Sequence, residues 1–241
     1  MRNNSWQRSH PAPYVLFFFA ALALALYPAL AQKKGGEGAV FVQDKGKLNI
    51  LLDGKSVGRE EFSIEPSSGG WLAKGSSSLQ TPDGKSTKVT GNLSLQPNGI
   101  PVSYDWVSQS DKTNSAHVAF VNGVAKTTLQ VQGARPFDQE NSFGSPRIVV
   151  LDNNLYHQYI VLSRIYDWSH RGSQTFSVLI PQELTPGTIT VESLGQAASN
   201  GKNYDALKVS TSDLQVMLYL DSNHKLERLE VPAANVAVVR E

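Results

Sequence analysis

One apolar helix in a chain that otherwise has the pattern of β-strands is the feature that most constrains the fold. Between positions 152 and 168, apolar and aromatic residues recur every three or four positions, which is the period of an α-helix. Their shared face comprises Leu155, Tyr156, Tyr159, Ile160, Leu162, Ile165 and Tyr166. Asp152 or Asn153 can cap the first turn by accepting a hydrogen bond from a free backbone N–H. The pattern predicts a helix over residues 153–168 that other elements must cover.

Three polar side chains, Asn154, His157 and Arg164, fall outside this face, so the helical period predicts that water solvates them. His157 is therefore expected to be solvated rather than to bind a metal. The remaining histidines lack the i, i+4 spacing of a zinc pair, and the chain has no cysteine. The sequence predicts no metal site and no cofactor.

Most of the remaining chain alternates apolar and polar residues between glycine-containing turns, as antiparallel hairpins do. The turns are Asp53-Gly54, Pro82-Asp83-Gly84, Pro97-Asn98-Gly99 and Asn122-Gly123. Asn-Gly favours a type I′ turn because both central residues need positive φ. Alternation resumes after the helix and continues to residues 236–239. The pattern predicts about 10 to 12 strands.

A twisted sheet of this many strands tends to curl or to split. We therefore predict a mainly β protein in which an antiparallel curved sheet, or half-barrel, wraps around one central α-helix. A β-sandwich with the helix across one open end is the alternative. Residues 135–147 interrupt the strand pattern with two prolines, and they are predicted to form a long loop. Such loops are often functional.

The N-terminus has the three-part layout of a secretory signal peptide. Arg2 and Arg8 precede an apolar run, and Ala29-Leu30-Ala31 closes it with small residues. We predict a signal peptide over residues 1–31 with cleavage before Gln32. An uncleaved anchor is the alternative, since the apolar run is about long enough to span a bilayer.

The predicted domain organisation follows from this cleavage. Residues 32–38 are rich in glycine and charge and are expected to be a flexible linker. Residues 39–241 are expected to form a single β-rich domain, exported to the periplasm or the cell exterior. No stable transmembrane anchor is expected after cleavage.

Composition excludes several kinds of partner and chemistry. Lys and Arg number 22 against 21 Asp and Glu, with no basic stripe, which argues against nucleic acid. No Gly-x-Ser-x-Gly motif occurs, and Asp-Gly-Lys-Ser at 53–56 and 83–86 lacks the upstream glycine of a phosphate-binding loop. Glu60 and Glu61 are adjacent in a strand and point to opposite faces. The chain is predicted not to be an enzyme, although a triad of distant residues is not excluded by missing motifs.

Aromatic residues are the best positive indication of function. They can simply fill the core between helix and sheet, or they can line a partly empty pocket there. On the second interpretation, the loop at 135–147 gates a pocket for a lipid, an acyl chain or another apolar ligand. The candidate ligand-binding residues are Tyr104, Trp106, Phe137, Phe143, Tyr156, Tyr159 and Tyr166. The alternative function is a structural module that binds another envelope protein through a sheet edge or an aromatic patch.

Three short segments resemble exported bacterial β-domains of unknown function. They are the opening hairpin at 52–62 (Leu-Asp-Gly-Lys-Ser-Val-Gly-Arg-Glu-Glu-Phe), the helix start at 152–159 (Asp-Asn-Asn-Leu-Tyr-His-Gln-Tyr) and the closing Leu-Glu-Val-Pro at 229–232. The overall plan is also similar to the LolA and LolB lipoprotein carriers, in which an incomplete barrel encloses an apolar cavity under helices. That similarity of plan implies ligand binding by analogy, although fold does not fix function.

Overall fold

The computed structural model describes residues 40–80 and 84–241 of the 241-residue chain. The predicted signal peptide at 1–31 and linker at 32–38 lie outside these ranges, as does most of the predicted turn at 82–84. Among the described residues, no helix is long and apolar enough to cross a membrane.

The described chain forms fifteen strands, one α-helix and one short 3-10 helix. In chain order they are β1 (Asp44–Leu52), β2 (Lys55–Ser67), β3 (Gly70–Gln80), β4 (Ser86–Leu95), β5 (Pro101–Gln109), β6 (Thr113–Val121), β7 (Val124–Val131), β8 (Phe137–Ser142), β9 (Ile148–Val150), α1 (His157–Ile165), β10 (Ser173–Ile180), β11 (Thr185–Ser199), β12 (Lys202–Ser210), β13 (Gln215–Leu220), β14 (Leu226–Val231), the 3-10 helix (Pro232–Ala234) and β15 (Val236–Arg240).

All fifteen strands belong to one sheet built from two meanders. Strands β1 to β8 pair in sequence, strands β10 to β15 do the same, and β15 joins the halves by pairing antiparallel with β1. Only β9 runs parallel to its neighbour, β10. The predicted Asn122-Gly123 turn between β6 and β7 has positive φ at both residues, 50° and 80°, as a type I′ turn requires.

The sheet is strongly curved and remains unclosed, with β8 and β9 at its two ends. Curvature brings β9 over β5. It also brings β8 close to the end of β10, where the side chains of Gln139 and Asn141 donate to the Leu184 carbonyl at 2.7 and 3.3 Å. The predicted half-barrel around one helix is confirmed, with more strands than expected.

The predicted loop at 135–147 is wrong in its centre, because Phe137–Ser142 forms the edge strand β8. Its side chains are mostly polar and mostly exposed, so the segment lacks the alternation by which a half-buried strand is recognised. Pairing with β7 makes it a strand.

The helix is also shorter than the predicted 153–168, since it spans only the nine residues of α1. Before it, the Asp152 carboxylate accepts the Asn154 N–H at 3.0 Å and closes a turn, which prevents an earlier helical start. After it, Tyr166 has extended backbone, with ψ of 131°. Every α1 residue except Tyr159 and Arg164 is buried, so the sheet encloses the helix on most sides.

Two glycines make room for the start of the helix. Gly75 in β3 and Gly91 in β4 are direct cross-strand partners on the concave face. A Cβ atom on Gly75 would collide with the His157 ring, and one on Gly91 would collide with Leu155 and the Tyr104 hydroxyl. The absence of side chains at these positions lets the helix lie directly on β3 and β4.

Candidate functional site: a cavity between the helix and strands β10 to β15

A buried carboxylate on β2 fixes the first turn of the helix. Glu60 has no exposed surface. It accepts the Tyr156 N–H at 2.6 Å and the His157 N–H at 3.3 Å, two donors that the helix cannot satisfy itself. Its Oε1 atom also lies 2.5 Å from His157 Nδ1. Glu60 therefore replaces the predicted local cap by a long-range one, and a negative group there suits the helix dipole.

The expectation that water solvates His157 is wrong. The ring is fully buried over Gly75 and paired with Glu60. Its Nε2 atom has no hydrogen-bond partner in the part of the chain that the structure describes. The helical period alone assigned His157 to the polar face because the partner that holds it inward lies 97 residues away.

A second buried carboxylate joins the turn before the helix to both halves of the sheet. Asp152 Oδ2 accepts the Tyr104 hydroxyl from β5 at 3.0 Å and the Gln182 amide, which follows β10, at 2.5 Å. Burial raises the pKa of Asp152 above its ordinary value. Burial and the neighbouring Asp152 also raise the pKa of Tyr104 well above its ordinary value.

An apolar cavity of about 260 Å³ lies beside this network, between the start of the helix and the concave face of β10 to β15. Its lining residues are Leu151, Asp152, Asn153, Tyr156, Tyr159, Val178, Ile180, Ile189, Val209, Thr211, Leu214, Val216, Val231, Ala234 and Val236. The deep wall is buried, whereas Asn153, Thr211, Leu214 and Ala234 are exposed and form a rim. Apolar walls with a few polar groups at one side are typical of small-molecule sites.

Two tyrosines, Tyr156 and Tyr159, line the helix side of the cavity. Burial raises the pKa of Tyr156 and of Tyr159 to about 12, and the Glu60 and Asp152 carboxylates add to the shift at Tyr156. Both hydroxyls are therefore neutral at physiological pH. Neither hydroxyl has a hydrogen-bond partner among the described residues. Both phenol groups therefore keep their capacity to donate and to accept a hydrogen bond.

The fold is similar to two solved structures. A beta-barrel-like protein from Brucella abortus, of the domain of unknown function DUF1849, has a TM-score of 0.53 and 10% identity, over 83% of this chain and 95% of that one. A DUF1089 family protein from Pseudomonas aeruginosa has a TM-score of 0.46 and 9% identity, over 74% and 91%. At 10% identity the first similarity shows a common fold and nothing about function. No protein-family model and no curated protein sequence matches the chain.

The structure separates the seven predicted ligand-binding residues. Tyr156 and Tyr159 line the cavity. Tyr104 lies behind it, bonded to Asp152, and Trp106 is buried on β5 with its indole N–H unpartnered among the described residues. Tyr166 lies at the far end of the helix, where its hydroxyl donates to the Gly172 carbonyl at 2.7 Å.

The two phenylalanines lie away from the cavity, at the β8 edge. Phe137 is 51% exposed on β8. Phe143 follows that strand, and its backbone N–H donates to the Gly123 carbonyl at 2.8 Å. Neither is among the residues that line the cavity, and their role as a gate stays a prediction.

Sequence reasoning overlooked the aliphatic residues that form most of the wall. Val178, Ile189, Val209 and Val216 are the inward residues of four strands that the alternation does predict. That alternation predicts that these four side chains share the concave face of the sheet. It does not predict that a cavity remains between them and the helix. In the described ranges 40–80 and 84–241, no group of three or more His, Asp or Glu side chains could hold a metal ion.

Proposed function

We propose that this is an exported envelope protein that binds a single apolar chain, without catalysis, in the cavity between α1 and strands β10 to β15. The observation that carries the proposal is the cavity itself, because its buried wall is formed mainly by valine, isoleucine and leucine side chains. Well-packed interiors leave few voids larger than a water molecule. A void of about 260 Å³ that reaches an exposed rim therefore supports a binding role for this cavity.

The architecture supports this proposal by analogy with the lipoprotein carriers, which also place an apolar cavity inside an incomplete barrel. The signal-peptide pattern at residues 1–31 supports export. The occupant proposed is an acyl or alkyl chain, since most of the lining residues are valine, isoleucine and leucine, which contact a flexible apolar chain along its whole length.

An open sheet edge favours a second candidate function, the binding of another envelope protein. Strand β8 ends the sheet, so one side of its backbone is unpaired with any described strand. The exposed Phe137 ring lies on the same strand. A partner strand could add to this edge.

The experiment is native mass spectrometry and calorimetry with 1-octanol, on the full chain purified without detergent. Wild type is expected to bind one molecule. Val236→Phe fills the rim side of the cavity and is expected to weaken binding at least about tenfold. Val107→Phe is the matched control, since Val107 is a half-buried strand valine that does not line the cavity.

The same measurement can overturn the proposal. If the wild-type protein binds neither 1-octanol nor a straight-chain acid of the same length, the proposed function is wrong. If Val107→Phe weakens binding as much as Val236→Phe, the cavity is not the binding site. Protein capture that depends on Phe137 would then favour the second candidate.

A further inference from the structure

The polar side of the cavity restricts the head group of the bound molecule. Besides the aliphatic residues, the lining includes Tyr156, Tyr159, Asn153, Thr211 and Asp152, whose side chains carry phenol, amide, hydroxyl and carboxyl groups. No lysine, arginine or histidine is among the lining residues. Every polar group there is neutral or acidic.

An anionic head group would be poorly accommodated in this environment. Moving a carboxylate out of water costs free energy unless a cation or several donors replace the water. The Asp152 carboxyl group, which is 3% exposed, lies at the same side of the cavity, and Glu60 lies just behind the Tyr156 backbone. Burial, and after it the Glu60 and Asp152 carboxyl groups, raise the pKa of the Tyr156 phenol, so both acids interact with this side of the cavity.

A neutral hydroxyl or amide group suits the same environment. The Tyr156 and Tyr159 hydroxyls have no partner among the described residues, and each can donate one hydrogen bond and accept others. The Asp152 oxygens already accept the Tyr104, Gln182 and Asn154 donors, and they retain further lone pairs. A head group that both donates and accepts can therefore be satisfied here.

Volume limits the apolar part of the molecule. A dry protein cavity of roughly 150 Å³ holds benzene, and sites for drug-sized ligands begin at about 300 Å³. The cavity of about 260 Å³ lies between these values. It holds one short aliphatic tail and excludes a whole two-chain lipid from the enclosed space.

From these observations we infer that the site selects a single-chain amphiphile with an uncharged hydroxyl or amide head, and that it discriminates against fatty-acid anions of the same length. This inference rests on the proposed function, because it assigns a ligand class to the same cavity. It goes further by predicting which head group is rejected.

The test compares two probes that differ only in the head group, 1-octanol and octanoate, by calorimetry at neutral pH. We expect 1-octanol to bind at least about ten times more tightly than octanoate. Asn153→Lys adds a cation at the exposed rim and is expected to reduce that ratio by about fivefold or more, because the ammonium group compensates the carboxylate. Asn154→Lys is the matched control, since Asn154 is the next residue and does not line the cavity.

The outcomes separate this inference from the proposed function. If neither probe binds, the proposed function fails, and the inference fails with it. If octanoate binds as tightly as 1-octanol, the apolar site stands and the head-group selectivity is wrong. An unchanged ratio in Asn153→Lys, or an equal reduction in Asn154→Lys, would also overturn the selectivity, because the rim would then not contact the head group.

Discussion

The two halves of the curved sheet contact the helix in different ways. Strands β2 to β5 contact the helix and the turn before it through glycines and through two buried side chains. Glu60 accepts hydrogen bonds from the Tyr156 and His157 N–H groups, and the Tyr104 hydroxyl donates one to Asp152. Strands β10 to β15 present branched aliphatic side chains to it and leave a cavity. The first half thus fixes the start of the helix, and the second half leaves the space in which we propose that a ligand binds.

Removing the carboxylate that fixes the helix is expected to have the largest effect on stability. Glu60→Ala leaves two helix N–H groups and the buried His157 ring without their acceptor, and breaking such a buried pair costs about 3–5 kcal/mol. The measurement is the free energy of unfolding in urea. Glu61→Ala is the control, because its exposed carboxylate only pairs with Lys47 on the surface, and the midpoint should not change.

A smaller loss is expected from the glycine positions. Gly75→Ala places a methyl group against the His157 ring, and overpacking of this kind costs about 1–3 kcal/mol. Gly144→Ala meets nothing within 4 Å and serves as the control. Equal unfolding midpoints for both variants would show that the helix does not lie tightly on β3.

The smallest expected effects come from two tyrosine hydroxyls, that of Tyr104 on β5 and that of Tyr159 on the helix. Tyr104→Phe leaves the buried Asp152 short of one donor, so we expect the unfolding free energy to fall by about 1–3 kcal/mol. Tyr159→Phe removes a hydroxyl without a described partner and should leave stability nearly unchanged, while 1-octanol binding weakens by about 0.5–1.5 kcal/mol. If Tyr104→Phe weakened 1-octanol binding and Tyr159→Phe lowered the unfolding free energy instead, the roles of the two tyrosines would be the reverse of those given above.

The alternation of residues was sufficient to predict most strands and the curved architecture. It failed at Phe137–Ser142, because an edge strand with exposed polar side chains has no buried face to set a period. It also failed at the helix start, since the Asp152 side chain closes a turn instead of capping the helix.

The candidate site was predictable only in part. Tyr156 and Tyr159 follow from the helical period, and the structure places both on the cavity wall. The burial of His157 depends on Glu60, and the position of Asp152 depends on Tyr104 and Gln182, which are all distant in sequence. The cavity exists because the sheet and the helix enclose more volume than their side chains fill. No local sequence pattern specifies that difference.

The most direct test of the central claim is methyl-resolved NMR of the valine side chains during titration with 1-octanol. We expect intermolecular contacts and shift changes at Val178, Val209 and Val216 on the cavity wall. Val89 and Val118, which are buried in the other half of the sheet, should not respond. Equal responses in both halves, or none in either, would contradict the division between an anchoring half and a ligand-binding half.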